Sequence, residues 1–573
     1  MNSHPRISAN SPARKTPAAQ DVSRRDFIKG TLATGAVVGG GLGAFYFGYD
    51  RAVGSPLRVG VIGTGDEGSV LLGALNPEFI QVRSIADIRP YNIWRALHGD
   101  HSNETALAAR PGLLAKYDWK TEDIAWRNMR KYGPWQELLD NAKADGLEGV
   151  IIALPLHLHC EVAVAAMNRG LHVLTEKLMA HSVGQCKEMA RVAAKTNRLL
   201  AVGHQRHYNV LYASAADSIQ RGLLGQLHYI RAQWHRGNLP GGDSWQPPMP
   251  ESVKPRDPQA KTLAKKLAEC RKQLNAASGA AVDVCRARLD QVAAQIADHV
   301  VNAKQYGYQL QQIRDAAGKP IYDGPPIEEL IRWRLWDRTG AGLMAELGSH
   351  QLDAASIFIH AMHRTHDPKA EKPHPISVAA SADRSLFPPD RNVEDHVYCI
   401  IEFPSPGYDA RDPAASRKKI GVQYTSLNGN GFGGYGEIVY GTEGTLVLEK
   451  EQDLSIIQGP SSSSSVRVSS GNSGPTLDTQ ASGAPVGTAK AKTSDVKVSR
   501  GYREELEHWA WCIRHPDPRN QPRCGPKVAL GDAVIALTTN MAARHGVRIE
   551  FKKEWFDIHS DETPENILPA KPA

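Results

Sequence analysis

The chain has 573 residues, enough for two to four domains at about 100 to 200 residues each. Its net charge is +7, and seven Lys and Arg against three Asp and Glu place +4 of this in residues 1–56. The remainder is nearly neutral, which gives no reason to expect nucleic-acid binding. The seven cysteines show no CxxC or Cys/His spacing, so neither a disulfide scaffold nor a zinc site is indicated.

The N-terminus carries an export motif. Residues 23–29 read SRRDFIK and precede a glycine-rich run without charge as far as Asp50. Paired arginines before a short apolar segment are typical of a twin-arginine signal, so we predict residues 1–56 to be an address outside the fold that sends the protein to the periplasm. No small-x-small cleavage site follows. Because apolar residues 31–49 approach the ~20 that cross a bilayer, an N-terminal membrane anchor on the outer side of the inner membrane is the alternative.

From residue 57 onward, short β-rich apolar runs alternate with helical ones. This order predicts a doubly wound α/β Rossmann domain with a parallel sheet over residues 57–205, interrupted by a polar and helical stretch at 91–145. The predicted strands are LRVGVIG, FIQVRSIAD, GVIIALP, LHVLTEK and RLLAVGH, and the predicted helices contain LLGALN, EVAVAAMNRG and SVGQCKEMARVAAKTN.

Residues 206–573 change to spaced strands and predict an α+β domain with an open, mostly antiparallel sheet for substrate binding and oligomerisation. Its predicted strands are GQLHYIRAQWHR, ISVAASAD, DHVYCIIEF, KKIGVQYTS, GEIVYG and TLVLEK. Residues 258–304 predict an inserted helical hairpin, where Cys270 and Cys285 come to similar heights and form either a disulfide or two packed apolar side chains. A Ser/Gly-rich tract, 459–498, predicts a disordered loop.

A dinucleotide-binding turn follows the first strand. The sequence GTGDEG, residues 63–68, has the GxGxxG pattern between a strand and a helix, where glycines permit a tight turn and close approach of a pyrophosphate. Asp87 ends the second strand, where its carboxylate can accept hydrogen bonds from both ribose hydroxyls of NAD and repel the 2′-phosphate of NADP. Arg89 could instead bind that phosphate, so NAD is favoured and NADP is the alternative. The predicted contacts of the turn are Gly63, Thr64, Gly65 and Gly68.

Later motifs resemble a known family. The segments ALPLHLHCEVAVAAMNRGLHVLTEKLMA, AVGHQRHYN and GAGLMAELGSHQLDAA are similar to the Gfo/Idh/MocA family of sugar and cyclitol oxidoreductases. The likeness covers most of residues 57–455, and GYREELEHWAWCIRHPDP resembles exported members. It implies NAD(P)-dependent oxidation of a sugar or cyclitol hydroxyl, and a homo-oligomer, dimer or tetramer, formed through the outer face of the antiparallel sheet.

The family's Glu-Lys-Pro strand end, which places a lysine beside the nicotinamide and the substrate, reads Glu176-Lys177-Leu178 in this chain. The resemblance implies that Lys177 contacts both ligands, stabilises the developing alkoxide and is assisted by Glu176 in cofactor binding. Loss of the proline removes a backbone constraint that can be a cis peptide.

The family's Asp-x-Gly-x-His-x-x-Asp motif appears as ELGSHQLD. On a regular helix Glu346, His350 and Asp353 share one face. The resemblance implies that His350 removes the hydroxyl proton as hydride leaves, and that Glu346 orients His350 or binds a neighbouring hydroxyl. These three side chains could alternatively ligate a metal, but hydride transfer needs none and we predict no metal.

Two further groups are candidate contacts. Leu154 and Pro155 end the third predicted strand, GVIIALP, and His157 and His159 follow it; His159 either touches the nicotinamide side or has a capping or packing role. The resemblance places His204, Arg206 and Tyr208, with Gln205, on the sugar pocket together with Asp353. Weaker candidates for carbohydrate contact are Trp234, His235, Arg236 and the loop 428–435.

Export constrains the chemistry because the periplasm is not expected to supply NAD. We therefore predict a tightly bound cofactor, loaded before export and recycled by oxidising one sugar and reducing another. A redox-neutral NAD-dependent glycosidase or lyase is an alternative outside the usual two-carboxylate scheme. The family's glycosidase branch lacks the Glu-Lys pair, which favours oxidoreduction. A non-catalytic exported binding protein is the third alternative.

Overall fold

The computed structural model describes residues 47–49, 54–451, 453–458, 470–471, 474–475, 488–490 and 499–567. The twin-arginine motif and most of the predicted disordered tract lie outside these ranges, although the tract includes three short described strands. In the described ranges, no helix has both the length and the apolar character needed to cross a membrane.

The N-terminal sheet confirms the predicted doubly wound fold. Its six strands are parallel in the order β3-β2-β1-β4-β5-β6, and their apolar residues are buried, as expected of a sheet covered by helices on both faces. The three-residue strand β3, inside the predicted helical stretch, is too short to leave a periodic pattern. The strands are β1 Leu57–Ile62, β2 Ile80–Ala86, β3 Arg130–Tyr132, β4 Gly149–Ile152, β5 His172–Glu176 and β6 Leu200–Gly203.

Eight helices connect and cover these strands. They are α1 Asp66–Ala74, α2 Pro90–His98, α3 Glu104–Ala109, α4 Gly112–Lys116, α5 Glu122–Asn128, α6 Trp135–Asn141, α7 His159–Asn168 and α8 Val183–Thr196. The ends of α8 follow from local chemistry: the Ser182 side chain accepts a hydrogen bond from the Gln185 amide at the start, and Asn197 is left-handed, with φ 52°, at the end.

The second domain contains a nine-stranded open sheet in the order β18-β15-β14-β13-β7-β12-β11-β10-β19. Only the central β7–β12 pair is parallel, so the predicted mostly antiparallel sheet is confirmed. These strands are β7 Leu227–His235, β10 Ser377–Asp383, β11 His396–Pro404, β12 Lys419–Leu427, β13 Tyr435–Gly441, β14 Gly444–Glu449, β15 Asp453–Gln458, β18 Thr488–Lys490 and β19 Arg548–Glu550. Two small hairpins pair β8 Gln311–Arg314 with β9 Pro320–Gly324, and β16 Ser470–Gly471 with β17 Gly474–Pro475.

One face of the large sheet is covered and the other is open. Helices α14 and α16 pack on the inner face, and alternate residues of β11 and β12 are buried there. The outer face exposes Tyr398 and Ile400; oligomerisation through it stays a prediction. The remaining helices are α9 Val210–Gln220, α10 Thr262–Ala276, α11 Ala281–Ala297, α12 Pro326–Ile331, α13 Asp337–Gly340, α14 Ser349–His366, α15 Tyr502–Arg514 and α16 Pro526–His545.

Helices α10 and α11 pair as a hairpin, and α11 packs against α2 of the Rossmann domain. Cys270 on α10 and Cys285 on α11 are both free thiols and half-buried. Neither alternative for this pair describes the structure, because the thiols are not joined and are not fully enclosed. Burial is the main cause that raises the pKa of the Cys270 thiol, and the nearby Cys285 raises it further.

Two residues before the first strand are part of the fold. Phe47 and Tyr49 are buried; the Tyr49 hydroxyl donates to Glu507 Oε2 at 2.7 Å, and the Phe47 ring lies 5.6 Å from that of Tyr208. The prediction that everything before residue 57 lies outside the fold is therefore wrong here. The aromatic residues that end the apolar run bury ring surface against helix α15 and the second domain.

Candidate functional site

A cleft of about 740 Å³ opens at the carboxyl ends of the parallel strands, where ligands bind in doubly wound sheets. The Rossmann side contributes the glycine turn, the ends of β2 and β5, and the loop after β4. Segments of the second domain around 244–247, 305–308 and 330–338 cover the opposite side. The cleft is therefore a space between two domains.

The glycine turn leaves room on its cleft side only. Gly63 has φ +85°, and a Cβ there would lie 2.4 Å from the carbonyl oxygen of Ala153. A Cβ on Gly68 would lie 2.1 Å from the Gly63 oxygen, so these glycines are required by packing. A Cβ on Gly65, at the start of α1, would meet nothing nearer than the Asn92 amide nitrogen at 3.7 Å. This open space at a helix N-terminus fits a pyrophosphate.

Alanine at these positions separates folding from dinucleotide binding. We expect Gly65→Ala to leave the melting temperature within about 2 °C of wild type and to lower retained dinucleotide at least about tenfold, because its Cβ enters only the ligand space. Gly68→Ala is the matched variant and should melt several degrees lower because of the backbone clash. Calorimetry and nucleotide counts after denaturation measure the two effects; equal melting losses would contradict this division.

At the ribose end, Asp87 is held in place by its neighbours. Its Oδ2 accepts from the Thr64 amide at 2.9 Å and the Asn92 side-chain amide at 3.0 Å, and its Oδ1 accepts from the Arg89 amide at 2.9 Å. The Arg89 guanidinium points to the second domain and pairs with Asp298. This pairing engages two of its nitrogens, Nε and Nη2, and the alternative role of Arg89 in binding a 2′-phosphate stays a prediction.

The loop after β4 separates cleft residues from structural ones. Leu154, Pro155 and His157 line the cleft, and the His157 ring lies 5.7 Å from that of Tyr308. His159 is buried, with its ring nitrogens 2.9 Å and 2.8 Å from the carbonyl oxygens of Leu178 and Leu154. The prediction that His159 touches the nicotinamide side is therefore wrong, and its alternative packing role describes the structure.

Lys177 lies at the carboxyl end of β5 and reaches the second domain. Its Nζ donates to the carbonyl oxygen of Glu346 at 2.6 Å and lies 3.7 Å from Glu346 Oε2. The Lys177–Leu178 peptide is cis although no proline is present. Glu176 accepts from the Lys177 amide at 3.0 Å. Burial, followed by the Glu67 carboxylate, raises the pKa of Glu176 well above its usual range, so this carboxyl is a neutral acid.

Glu346 binds cations and does not orient His350. Its Oε1 accepts from Arg334 Nε at 2.6 Å; burial opposes its ionisation, but Arg334 and then Lys177 lower the pKa of Glu346 to about 2. Residues Met344–Gly348 form a wide π-turn before α14. This turn breaks the regular spacing between Glu346 and His350, so the predicted i, i+4, i+7 arrangement holds only for His350 and Asp353, which lie three residues apart on α14.

His350 follows the π-turn in the first turn of α14. Its ring is 7% exposed and lies 5.3 Å from the Trp234 ring, which stacks on Tyr435 at 4.5 Å. Its buried Nδ1 has no hydrogen-bond partner within the described part of the chain. Burial and then the Lys177 ammonium hold the pKa of His350 well below its usual range. The ring is therefore a neutral imidazole with a free nitrogen.

Four residues that were predicted to contact the sugar lie in the protein interior. Asp353 Oδ1 lies 2.9 Å from His207 Nε2, and His204 Nδ1 lies 3.6 Å from Asp353 Oδ2. Arg206 donates to the Tyr212 hydroxyl, Gln351 and Glu451, and the Tyr208 hydroxyl lies 2.9 Å from His508 Nδ1. All four are almost fully buried. Arg206, Tyr208 and Asp353 thus belong to an internal polar network, whereas both ring nitrogens of His204 lack a hydrogen-bond partner in the described residues, and the contact of these four with a sugar stays a prediction.

The described residues that could hold a metal ion differ from the set Glu346, His350 and Asp353 that the sequence suggested. In the described residues, the ligand atoms of His204, Asp353 and Asp532 lie within 4.8 Å of one another, a set that does not include Glu346 or His350. Lys372 Nζ already lies 2.6 Å from Asp532 Oδ1 and 3.5 Å from Asp353 Oδ1. Its ammonium supplies the positive charge that two buried carboxylates require.

Sequence patterns missed the residues of the second domain that complete the cleft. They are Trp245, Tyr308, Arg334, Arg338 and Asp298, which binds Arg89 at its edge. The only sequence signal is WRLWDR, residues 333–338, where cationic and aromatic side chains concentrate without a strand or helix pattern. Their partners lie from 9 to 209 residues away along the chain, so local spacing does not reveal them.

Such a fold and cleft define a dinucleotide-binding domain whose site is completed by a second domain. Residues 57–204 match the family model described as an oxidoreductase family with an NAD-binding Rossmann fold, so this N-terminal domain belongs to the Gfo/Idh/MocA oxidoreductases. Residues 21–41 match the twin-arginine translocation pathway signal, which confirms the predicted export signal.

The chain is similar to several named proteins. It is 31% identical over 121 residues to an uncharacterized oxidoreductase of Schizosaccharomyces pombe, covering 21% of this chain and 32% of the relative. It is 26% identical over 225 residues to a glycosyl hydrolase family 109 protein of Solibacter usitatus, covering 37% and 46%. The chain thus spans less than half the length of these relatives.

A solved structure shares the overall fold. An inositol dehydrogenase homolog from Azotobacter vinelandii, crystallised with NADH and myo-inositol, aligns over 88% of this chain and 100% of its own with a TM-score of 0.51. The sequences are 13% identical, so this likeness concerns architecture alone.

Proposed function

We propose that this protein is an exported NAD-dependent oxidoreductase that oxidises a hydroxyl of a sugar or cyclitol. The observation that carries the proposal is the contact of Lys177, which lines the cleft, with Glu346 in the turn that leads into the His350 helix. The Lys177 ammonium contacts the π-turn that precedes His350, and burial followed by this ammonium lowers the pKa of the His350 ring. A cation and a neutral base whose side chains are both nearly enclosed suit alkoxide formation.

The chain's own residues have separate roles in this scheme. The free nitrogen of His350 accepts the hydroxyl proton, and the Lys177 ammonium stabilises the negative charge that develops on the oxygen. The Glu346 carboxylate is anchored by Arg334 and keeps the Lys177 ammonium in position. Because Glu176 is a neutral acid, it does not offset the positive charge of the neighbouring Lys177. A bound nicotinamide would supply the hydride acceptor.

The glycine turn and Asp87 hold the dinucleotide, and the second domain covers it. A cleft closed by segments from two domains fits a cofactor that is retained rather than exchanged. The twin-arginine route carries folded proteins, so we propose that the enzyme is loaded with NAD before export and works in the periplasm. Two substrates, one oxidised and one reduced, then regenerate the cofactor in place.

One assay tests the reaction class. Purified protein is denatured and the released nucleotide identified; intact protein is then incubated with a panel of sugars, cyclitols and glycosides. We expect released NAD(H), and a change in nicotinamide absorbance with at least one free sugar or cyclitol and without bond cleavage. Absence of both dinucleotide and turnover would contradict the proposal and leave an exported binding protein.

The second candidate is a redox-neutral glycosidase. Part of this chain is similar in sequence to glycosyl hydrolase family 109 proteins, which favours it. In that reaction transient oxidation beside the glycosidic carbon acidifies a C–H, the glycosidic group is eliminated, and the ketone is reduced again. Cleavage of a glycoside with no net change in cofactor redox state would select this candidate.

A further inference from the structure

The inserted hairpin reaches the ribose end of the cofactor cleft through one buried carboxylate. Asp298 directly follows α11 and its side chain is 2% exposed. Its Oδ2 accepts from Arg89 Nε at 2.9 Å and from Arg89 Nη2 at 2.8 Å, and its Oδ1 accepts from the Tyr91 amide at 3.0 Å. The hairpin thereby engages the arginine that lies two residues after Asp87.

A second buried contact fixes the hairpin in this position. Gln291 Nε2 donates to Asp100 Oδ1 at 2.9 Å and to the Ser102 hydroxyl at 3.0 Å, and Gln291 Oε1 accepts from the His101 amide at 2.7 Å. This anchor lies on α11 about two turns before Asp298. The pairing with Arg89 is therefore a property of a docked element and not of a free surface side chain.

We infer that Asp298 is a cofactor-specificity residue, which selects NAD over NADP by occupying the Arg89 guanidinium; this inference rests on the proposed function. A 2′-phosphate beside Asp87 requires a cation that offers free donors, as arginine does in a bidentate contact. Arg89 is the cation beside Asp87. Asp298 accepts hydrogen bonds from two of its nitrogens and neutralises its positive charge. A phosphate would thus face two carboxylates, whereas a 2′-hydroxyl needs only an acceptor, which Asp87 provides.

The other cations near the turn do not replace Arg89. Arg95 is buried and pairs with Asp66 at 2.6 Å, and Arg334 pairs with Glu346. Arg338 also lines the cleft and pairs with Glu329, so removing the Asp298 charge should release the Arg89 guanidinium, two residues after Asp87. Asparagine is the sharpest substitution because its side-chain oxygen still accepts from the Tyr91 amide, while the carboxylate charge is lost.

The test counts retained nucleotides and needs no turnover. Each protein is purified from cells that contain both NAD and NADP, freed of unbound nucleotide and denatured, and the nucleotides it retained on folding are counted by mass spectrometry. Wild type should retain NAD. In Asp298→Asn the NADP share should rise at least about tenfold, the effect of gaining one charge-assisted contact to phosphate. In the Asp298→Asn/Arg89→Gln double variant, the share should return to the wild-type value.

Two controls distinguish pairing from docking. Gln291→Ala loosens the same hairpin but leaves Arg89 paired, so its NADP share should stay at the wild-type value; a rise equal to that of Asp298→Asn would overturn the inference. If Asp298→Asn does not fold, Arg89→Gln alone decides, because loss of a guanidinium that is already occupied should leave NAD selection unchanged. A changed selection there would overturn the inference.

Failure of this inference differs from failure of the proposed function. A protein that retains NAD, with selection unaltered in Asp298→Asn, overturns the role of Asp298 and leaves the oxidoreductase proposal intact. A protein that takes up neither dinucleotide overturns both.

Discussion

Lys177→Ala should lower the rate of sugar-dependent nicotinamide reduction by about 10²- to 10³-fold, the loss that follows removal of one preorganised donor to a developing oxyanion. The ammonium is nearly enclosed, at 10% exposure, so water does not replace it readily. Retained NAD should change much less, because the glycine turn and Asp87 hold the other half of the cofactor. Single-turnover absorbance of the loaded protein measures the chemical step directly.

Lys187 offers a matched control for Lys177. It is also a buried lysine that donates to carbonyl oxygens, at 2.7 Å to Glu554 and 2.6 Å to Glu562, but it lies on α8, away from the cleft. Lys187→Ala should destabilise the fold and leave the single-turnover rate unaltered. An unchanged rate in Lys177→Ala, or equal losses in both variants, would remove Lys177 from the proposed chemistry.

Local sequence was sufficient for the Rossmann half of the site. Both faces of the parallel strands are buried, so they appear as continuous apolar runs, and the glycine turn is a local backbone requirement that spacing reveals. Asp87 could be located because the distance from turn to acid is set by one helix and one strand. Lys177 was placed by resemblance at a strand end, and the structure puts it at the carboxyl edge of the sheet.

The second domain was predictable as a sheet but not as a site. The π-turn at residues 344–348 interrupts the regular helical spacing between Glu346 and Asp353, and no residue pattern in ELGSHQLD signals that extra width. Arg206 and Tyr208 follow a strand end, as pocket residues often do. Arg206 nevertheless pairs with the buried Glu451, and the Tyr208 hydroxyl hydrogen-bonds to His508, both from distant segments. The Asp298–Arg89 pair joins positions 209 residues apart, which only the folded chain brings together.

His350→Ala should lower the rate of the chemical step by about 10²- to 10⁴-fold, the range for loss of a positioned general base. His363 lies on the same helix with its Nε2 2.9 Å from the Pro404 carbonyl oxygen, outside the cleft, so His363→Ala is the matched control and should keep the wild-type rate. Equal rates in wild type and His350→Ala would show that another group takes the proton.

The pH profile tests the same assignment by a different property. Folded His350 has a pKa well below the ordinary histidine value, because burial and then Lys177 disfavour the imidazolium. The active form is the neutral ring, so its population stays full as pH falls through about 6.5, where an ordinary histidine would become half protonated. We therefore expect the wild-type single-turnover rate to remain level from pH 7 to below about pH 6. An acid limb centred near 6.5 would mean that the base is an unburied histidine and not His350.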